Sequence, residues 1–300
     1  MRGYEGRGEV IIGIIGTGLM GSSLAKCLVN KGYRVIVYNR SCWKAEKLRE
    51  QLGVKVADNP KELLDQTKIA IAFISGDNAL YDVVFGDNGV SMASERSILI
   101  NASTVTPMAS LRVYKHLKRH NIFYLEAPVY GSTSEAMECR LLSIVAGKKD
   151  VYEEVHDLLK DYSYRIYYVG EIPRASVIKL ALNNIGLALP ALLAESLSLL
   201  GAWNTDPEIF REIAGNLWFG KAIERYWNRI IEERPPRFKV WMAGKDYWYV
   251  AQSLKEKRLP SNLCETLSSM YMQAAVHGYM DKDYPLIARY YIELTKRQMK

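Results

Sequence analysis

The 300-residue chain is poor in the residues that build metal sites and disulfide frameworks: it has four cysteines and four histidines. Cys27, Cys42, Cys139 and Cys264 form no C-x-x-C pair, so they read as free thiols of a reducing, cytoplasmic setting. His116 and His120 lie four apart but have no third ligand near them in sequence, so no metal is expected. Nothing resembles a secretory leader: the apolar run Val10–Ile15 is short, broken by Gly13 and followed by no cleavage motif. No long apolar run is free of polar groups either. Val177–Leu200 carries Lys179, Asn183, Asn184 and Glu195, which suits a buried helix of a soluble protein and argues against a membrane span. The net charge is +7, yet no block of five or more like charges exists. Scattered cations such as Lys44, Lys47, Arg49, Lys118 and Arg119 read as solvated helix faces, not as a nucleic-acid surface. Repeats and low-complexity segments are absent. What the chain does have is 49% hydrophobic residues, enough for a sizeable core.

Those residues are patterned. "VIIGIIG", "RVIVYN", 54–57, "IAIAFIS", "SILINAS", "FYLEAPV", "LLSIVAG" and "RIYYVG" read as strands. Helical segments separate the early ones: a run through Leu24 and Leu28, then 43–52, one opened by Asn59 and Pro60, 79–85 and 107–120. Such alternation predicts βαβ units and a parallel, doubly wound sheet. After Gly170 the strand signals stop. Helices are expected at about 174–201, 206–216, 218–233, 240–257, 261–278 and 283–298, with Thr205 and Glu208 as a capping box and Pro207 in the first turn. The chain therefore divides into an α/β domain at 8–169 and an all-α domain at 170–300, joined by a long helix.

The first strand runs into Gly16-Thr17-Gly18-Leu19-Met20-Gly21, a G-x-G-x-x-G turn that opens a helix. Alone the motif is weak. Between a strand and a helix, with a second strand at the right distance, it predicts a dinucleotide whose pyrophosphate sits on the helix N-terminus. An acid is expected about twenty residues on, where it would bind the ribose hydroxyls of NAD. That place reads Asn39-Arg40-Ser41. Losing the acid removes a repulsion, and the Arg40 fork suits a 2′-phosphate, so NADP is expected rather than NAD. The plainer alternative is a surface arginine that happens to follow the strand.

Five ordered stretches together resemble the β-hydroxyacid dehydrogenase family, which includes 3-hydroxyisobutyrate dehydrogenases and semialdehyde or glyoxylate reductases. They are "GIIGTGLMGSSLAKCLVNKGYRVIVYNR", "NASTVTP" at 101–107, "EAPVYGSTSEA" at 126–136, "GEIPRASVIKLALNN" at 170–184 and "GKDYWYVA" at 244–251. The resemblance implies a Rossmann-type domain followed by a helical domain, with the active site in the cleft between them and a homo-oligomer, a dimer or tetramer. It implies cofactor contacts from the glycine turn, from Ile74 and Ser75 after "IAIAF", from Thr104 and from Lys245. Lys245 has a second reading, as a helix-face lysine paired with Asp246. The substrate loop departs from the family pattern D-A-P-V-S-G-G-x-x-G-A: Glu126, Tyr130, Ser132 and Glu135 replace its Asp, Ser, second Gly and last Gly. Tyr130, Gly131, Ser132 and Thr133 are its candidate substrate contacts. Glu135 either faces solvent or meets an ammonium group, as of a serine-like substrate.

Lys179 and Asn183 are retained. Four apart on an apolar helix, they share one face. A desolvated lysine there suits proton transfer to a carbonyl oxygen, with Asn183 orienting it or holding the substrate; the alternative is a lysine snorkelling at the helix edge. The expected activity is hydride transfer between NADP(H) and a small 3-hydroxy acid or its semialdehyde, 3-hydroxyisobutyrate- or serine-like, with Lys179 as general acid and base. Reduction of another carbonyl or an imine, and an idle NADP-binding regulatory protein, remain open as alternatives. Partners beyond a small-molecule substrate, whether nucleic acid or membrane, are not expected.

Overall fold

The computed structural model describes residues 10–94 and 96–298. The chain forms two compact units and passes from one to the other between Lys179 and Leu180. The expected boundary at 169/170 falls at the end of the last strand, and the first unit runs on through the first turns of the next helix.

In the first unit strands and helices alternate: β1 (Ile11–Ile15), α1 (Leu19–Asn30), β2 (Arg34–Tyr38), α2 (Cys42–Leu52), β3 (Lys55–Val56), α3 (Pro60–Thr67), β4 (Ile69–Ala72), α4 (Asp77–Phe85), β5 (Ser97–Asn101), α5 (Pro107–Leu117) and β6 (Ile122–Glu126). The six strands make one parallel sheet in the order β3-β2-β1-β4-β5-β6. Ile14 of β1 lies between Val37 and Ile71 of its neighbours. β5 is buried along its whole length, as expected of strands covered by helices on both faces. Burying each such Ile or Leu is worth about 1.5–3 kcal/mol. Sequence order reverses between β1 and β4, and ligands of open α/β sheets bind at the strand carboxyl ends beside such a switch.

"FYLEAPV" does not form one strand. β6 stops at Glu126, and β7 (Val129–Tyr130) belongs to a second sheet. Pro128, which lacks an N–H for a ladder, lies at the break. β7 pairs antiparallel with β8 (Leu141–Val145), which pairs parallel with β9 (Ser163–Tyr168). Two helices absent from the sequence reading intervene, α6 (Thr133–Met137) and α7 (Lys149–Tyr162). On α7 the buried Val151, Val155, Leu158 and Tyr162 recur at helical spacing.

One expectation about the cysteines is overturned. Cys27 of α1 is bonded to Cys139, with Cα atoms 5.5 Å apart and a sequence separation of 112. Sequence spacing could not show this, because it depends on α1 packing against α6. Cys42, exposed, and Cys264, buried, remain thiols, so cysteine usage no longer argues for a reducing compartment.

The helices that follow are α8 (Arg174–Gly186), α9 (Ala188–Ala202), α10 (Pro207–Gly215), α11 (Gly220–Ile231), α12 (Val240–Lys255), α13 (Asn262–Ala274) and α14 (Ile287–Gln298). The single helix expected at 174–201 is α8 plus α9, with a turn at Leu187. Asp206, not Thr205, caps α10: its carboxylate accepts from the Glu208 amide at 2.9 Å, and Pro207 takes the first turn. The segment 174–202 is long and apolar enough to cross a membrane by length and composition alone. The expectation that it is buried holds for only about a third of it. Ile185, Leu192 and Leu199 are exposed, whereas Lys179 and Asn183 are buried. The second unit's core gathers Leu197, Trp227, Tyr247, Tyr271 and Ile287.

Candidate active site

The glycine turn is shaped for an anion. Gly16 has φ +95°, and a side chain there would strike the Phe73 carbonyl. A Cβ on Gly21 would sit 1.8 Å from the Gly16 carbonyl oxygen, so α1 can approach the turn only with glycine. Gly18 is the N-cap of α1 and makes no side-chain cap bond, and no acid lies in the first turn. The amides of Leu19 and Met20 therefore open a helix with no capping side chain. Beside them the buried Thr17 Oγ1 has no hydrogen-bond partner. An unpartnered hydroxyl, an uncapped helix end and open space at Gly18 together fit a pyrophosphate.

Asn39, in the place of the missing acid, fastens this turn. Its Oδ1 accepts from the Thr17 amide at 3.0 Å, and its Nδ2 donates to the Ser41 carbonyl at 3.0 Å. Arg40 reaches out from the end of β2, well exposed, with Nη1 3.6 Å from Asp82 of α4. Burial raises the pKa of the adjacent Tyr38 phenol, with Arg40 pulling it down and Asp82 pushing it up. Asp82 was not singled out in the sequence. The ends of β4 and β5 are tied together: Ser103 Oγ donates to the Ala72 carbonyl at 3.0 Å and accepts from the Ile74 amide at 2.8 Å. Ser75 follows on the exposed side. Asp77 accepts from the amide and hydroxyl of Thr106, which fixes the loop that carries Thr104.

The substrate loop is built differently. Ser132 caps α6 in a capping box with Glu135. The Ser132 amide donates to Glu135 at 2.8 Å, and the hydroxyls of Ser132 and Ser134 bond the same carboxylate oxygen. Burial alone would raise the Glu135 pKa; these bonds outweigh it and bring it down to about 2. Both donors of Ser132 are thus engaged within the loop. Tyr130, Gly131 and Thr133 flank it, with Tyr130 partly exposed. The Lys179 ammonium stands 4.9 Å from the centre of the Tyr130 ring, a cation–π contact at a site where lysine is 9% exposed.

Asn183 and Lys245 belong to the second unit. Asn183 Nδ2 donates to Asp246 Oδ2 at 2.7 Å, and this fixes the amide with its carbonyl turned away from the acid. Lys245 Nζ is 3.0 Å from Asp246 Oδ1, in charge contact but not in hydrogen-bonding line, and lies 4.5 Å over the Tyr249 ring. The pairing with Asp246 named by the second reading of Lys245 is present. Asp246 is 1% exposed. Sequence reasoning treated it only as the partner of Lys245; its place one residue on, in a buried helix turn, was the available signal.

Comparison with known proteins gives the family. Residues 11–170 match the family model for the NAD-binding domain of 6-phosphogluconate dehydrogenase. Over 283 residues the chain is 31% identical to glyoxylate/succinic semialdehyde reductase 2 of Arabidopsis thaliana, covering 93% of this chain and 79% of that protein. The chain belongs to the β-hydroxyacid dehydrogenase family. The chain is also 32% identical over 194 residues to the cytokine-like nuclear factor N-PAC of Drosophila melanogaster, where the match covers 64% of this chain and 32% of the relative. The chain thus spans about a third of that relative's length. The family fold is seen too in the crystal structure of 3-hydroxyisobutyrate dehydrogenase from Salmonella typhimurium, with a TM-score of 0.79 at 20% identity, covering 94% of this chain and 99% of that one. A nicotinamide dinucleotide is the group the family's first domain holds, and the Gly16–Met20 cradle with its unpartnered Thr17 hydroxyl fits it.

Proposed function

We infer that the chain is an oxidoreductase that passes hydride between NADP(H) and a small 3-hydroxy acid or its semialdehyde. The observation that carries this reading is Lys179: an ammonium 9% exposed, against a tyrosine ring, one helical turn before the buried Asn183. When bound, the nicotinamide supplies or accepts the hydride at the carbinol carbon. Lys179 gives its proton to the carbonyl oxygen in reduction and takes it from the hydroxyl in oxidation, so that C=O plus hydride and proton balances CH–OH. Asn183, one helical turn on in sequence, has its amide held by Asp246, which leaves its carbonyl as an acceptor. Thr17, Gly18 and the first turn of α1 hold the pyrophosphate. The absence of an acid at Asn39 and the reach of Arg40 support NADP over NAD.

Glu135 argues against serine. Its carboxylate already accepts from Ser132 and Ser134, and an ammonium partner would have to compete with those bonds. A second reading, reduction of a carbonyl or imine lacking a carboxylate, is favoured by the same loop, because Ser132 has no donor left for a substrate carboxylate. The test is turnover of glyoxylate, succinic semialdehyde and cyclic imines with NADPH, and of 3-hydroxyisobutyrate and serine with NADP+, by wild type and Lys179→Ala. Loss of a general acid should lower kcat roughly 100-fold or more while NADPH still binds. A kcat within a few-fold of wild type would remove Lys179 from the chemistry, and tight NADPH binding without turnover on any substrate would favour an idle regulatory protein.

A further inference from the structure

At the start of the helix that carries the lysine lies a buried carboxylate that the proposed chemistry does not use. Glu126, the last residue of β6, is fully buried. Its backbone is held on both sides. It pairs with Asn101 in the parallel ladder, and it exchanges two hydrogen bonds with Ala146, at 2.9 and 3.0 Å. Its side chain points at the start of α8. Oε2 accepts from the Ala175 amide at 3.1 Å and the Ser176 amide at 3.4 Å, and Oε1 accepts from Ser176 Oγ at 2.5 Å. α8 has no acid in its own first turn, so this strand supplies one to the positive end of the helix. Ala175 packs on Ile144 of the second sheet and on Ala146 just beyond it, which pins the same turn.

We propose that Glu126 is a positioning residue for Lys179: it fastens the first turn of α8 to the end of β6 and so sets where the ammonium stands. The inference rests on the reading of Lys179 as the proton carrier. Lys179 is four residues after Ala175 and three after Ser176, on the same helix face and about 6 Å along the axis at 1.5 Å per residue. An intact helix transmits a shift of its anchored turn to the lysine. The carboxylate is itself backed by a polar chain. Ser110 bonds Glu126, the Ser110 and Tyr124 hydroxyls lie 3.2 Å apart, and Asn101 Nδ2 donates to Tyr124 at 3.0 Å. Ser110 has one proton, so while it donates to Glu126 the Tyr124 hydroxyl is the donor between the two. Burial raises the Glu126 pKa, and the bonds from Ser110, Ser176 and Ala175 pull it back. All four contacts on the carboxylate come from donors. Glutamine has the right size, but its amide must set an N–H against one of them; aspartate keeps the charge and withdraws it by one carbon–carbon bond.

Glu126→Gln and Glu126→Asp are compared with wild type, Lys179→Ala and the double variant Glu126→Gln/Lys179→Ala. A misplaced lysine should lower kcat by about 10- to 100-fold, with KM and the NADPH Kd little changed and with Asp closer to wild type than Gln. The double variant should be no slower than Lys179→Ala, since a residue that acts through the lysine has nothing left to position. Independently of turnover, amine-reactive labelling read by peptide mass spectrometry should show Lys179 modified severalfold faster in Glu126→Gln, with Lys44 and Lys47 unchanged. Wild-type kcat together with unchanged Lys179 labelling would overturn the proposal, as would an additive loss in the double variant. If Lys179→Ala keeps its turnover, the proton-carrier reading fails, and the labelling result still decides whether Glu126 places the lysine. If Glu126→Gln does not fold, Glu126→Asp carries both measurements.

Discussion

Two strand-to-helix turns in the first unit begin alike and end in opposite chemistry. At Gly18 the helix α1 starts with no capping side chain, and a buried threonine hydroxyl beside it lacks a partner. At Ser132 the helix α6 starts inside a capping box, and both donors of Ser132 are spent on Glu135. An open helix end holds donors in readiness for an anion, at some expense in stability. A closed one is satisfied from within and offers a ligand little. In this chain the cofactor turn is open, and the loop that the family resemblance assigns to substrate is closed. The difference explains why the cofactor is read from the residues with more force than the substrate.

The largest effect should come from closing the open turn. Gly18 has an extended backbone that any residue adopts, and a Cβ there meets nothing within 4 Å. Gly18→Asp should cap α1 and change stability by only a few tenths of a kcal/mol. A carboxylate set against the pyrophosphate should weaken NADPH by several kcal/mol, about 3 or more. Fluorescence titration and thermal melting check the pair of outcomes; a parallel loss of stability, or unchanged NADPH binding, would break the comparison.

A smaller effect is expected at the rim of the same turn. Arg40→Ala should cost NADPH about 1.5–3 kcal/mol, the worth of a charge-assisted bond, and leave NADH nearly unchanged. Asp82 competes for the same guanidinium across 3.6 Å. Asp82→Asn should tighten NADPH by no more than about 1 kcal/mol, the scale of an exposed pair. Equal responses of the two cofactors would remove Arg40 from the choice.

The smallest effect lies in the closed turn, and it depends on pH. The folded-state pKa of Glu135 is depressed from 4.5 to about 2. Its contribution is therefore present above about pH 4.5 and is lost as pH falls toward 2. Between those limits wild type should lose stability relative to Glu135→Gln, with a total on the order of 1 kcal/mol, typical of a cap. Parallel denaturation curves for the two proteins across that window would show that the capping box contributes nothing.

The open turn was legible in the sequence because its mechanism needs glycines at fixed spacing between two strands. Asn39 and Arg40 were visible for the same reason. The closed turn was equally legible in principle, since Ser132 and Glu135 stand three apart as a capping box requires. Matching the segment to a family loop drew attention to what the residues replaced and away from what they bond. Glu126 illustrates the opposite limit. Nothing near it in sequence marks it as a cap, because its helix begins almost fifty residues later. Burial of 174–202 was misjudged because composition tells how apolar a helix is but not which side another element covers. Asp246 was undervalued because its partner Asn183 lies 63 residues away.

The bridge between Cys27 and Cys139 gives the chain a shape that persists when it unfolds. The denatured protein is a closed ring spanning those two residues, with a free tail on either side. A single cut within the ring leaves one covalent molecule; a cut beyond Cys139 releases a fragment. In the chain-entropy account a ring of this size destabilises the unfolded state by about 4–5 kcal/mol. All of the second unit, from Leu180 onward, lies in the free tail. The cross-link therefore favours the folded form of the nucleotide-binding unit alone, and the helical unit keeps its shape by packing.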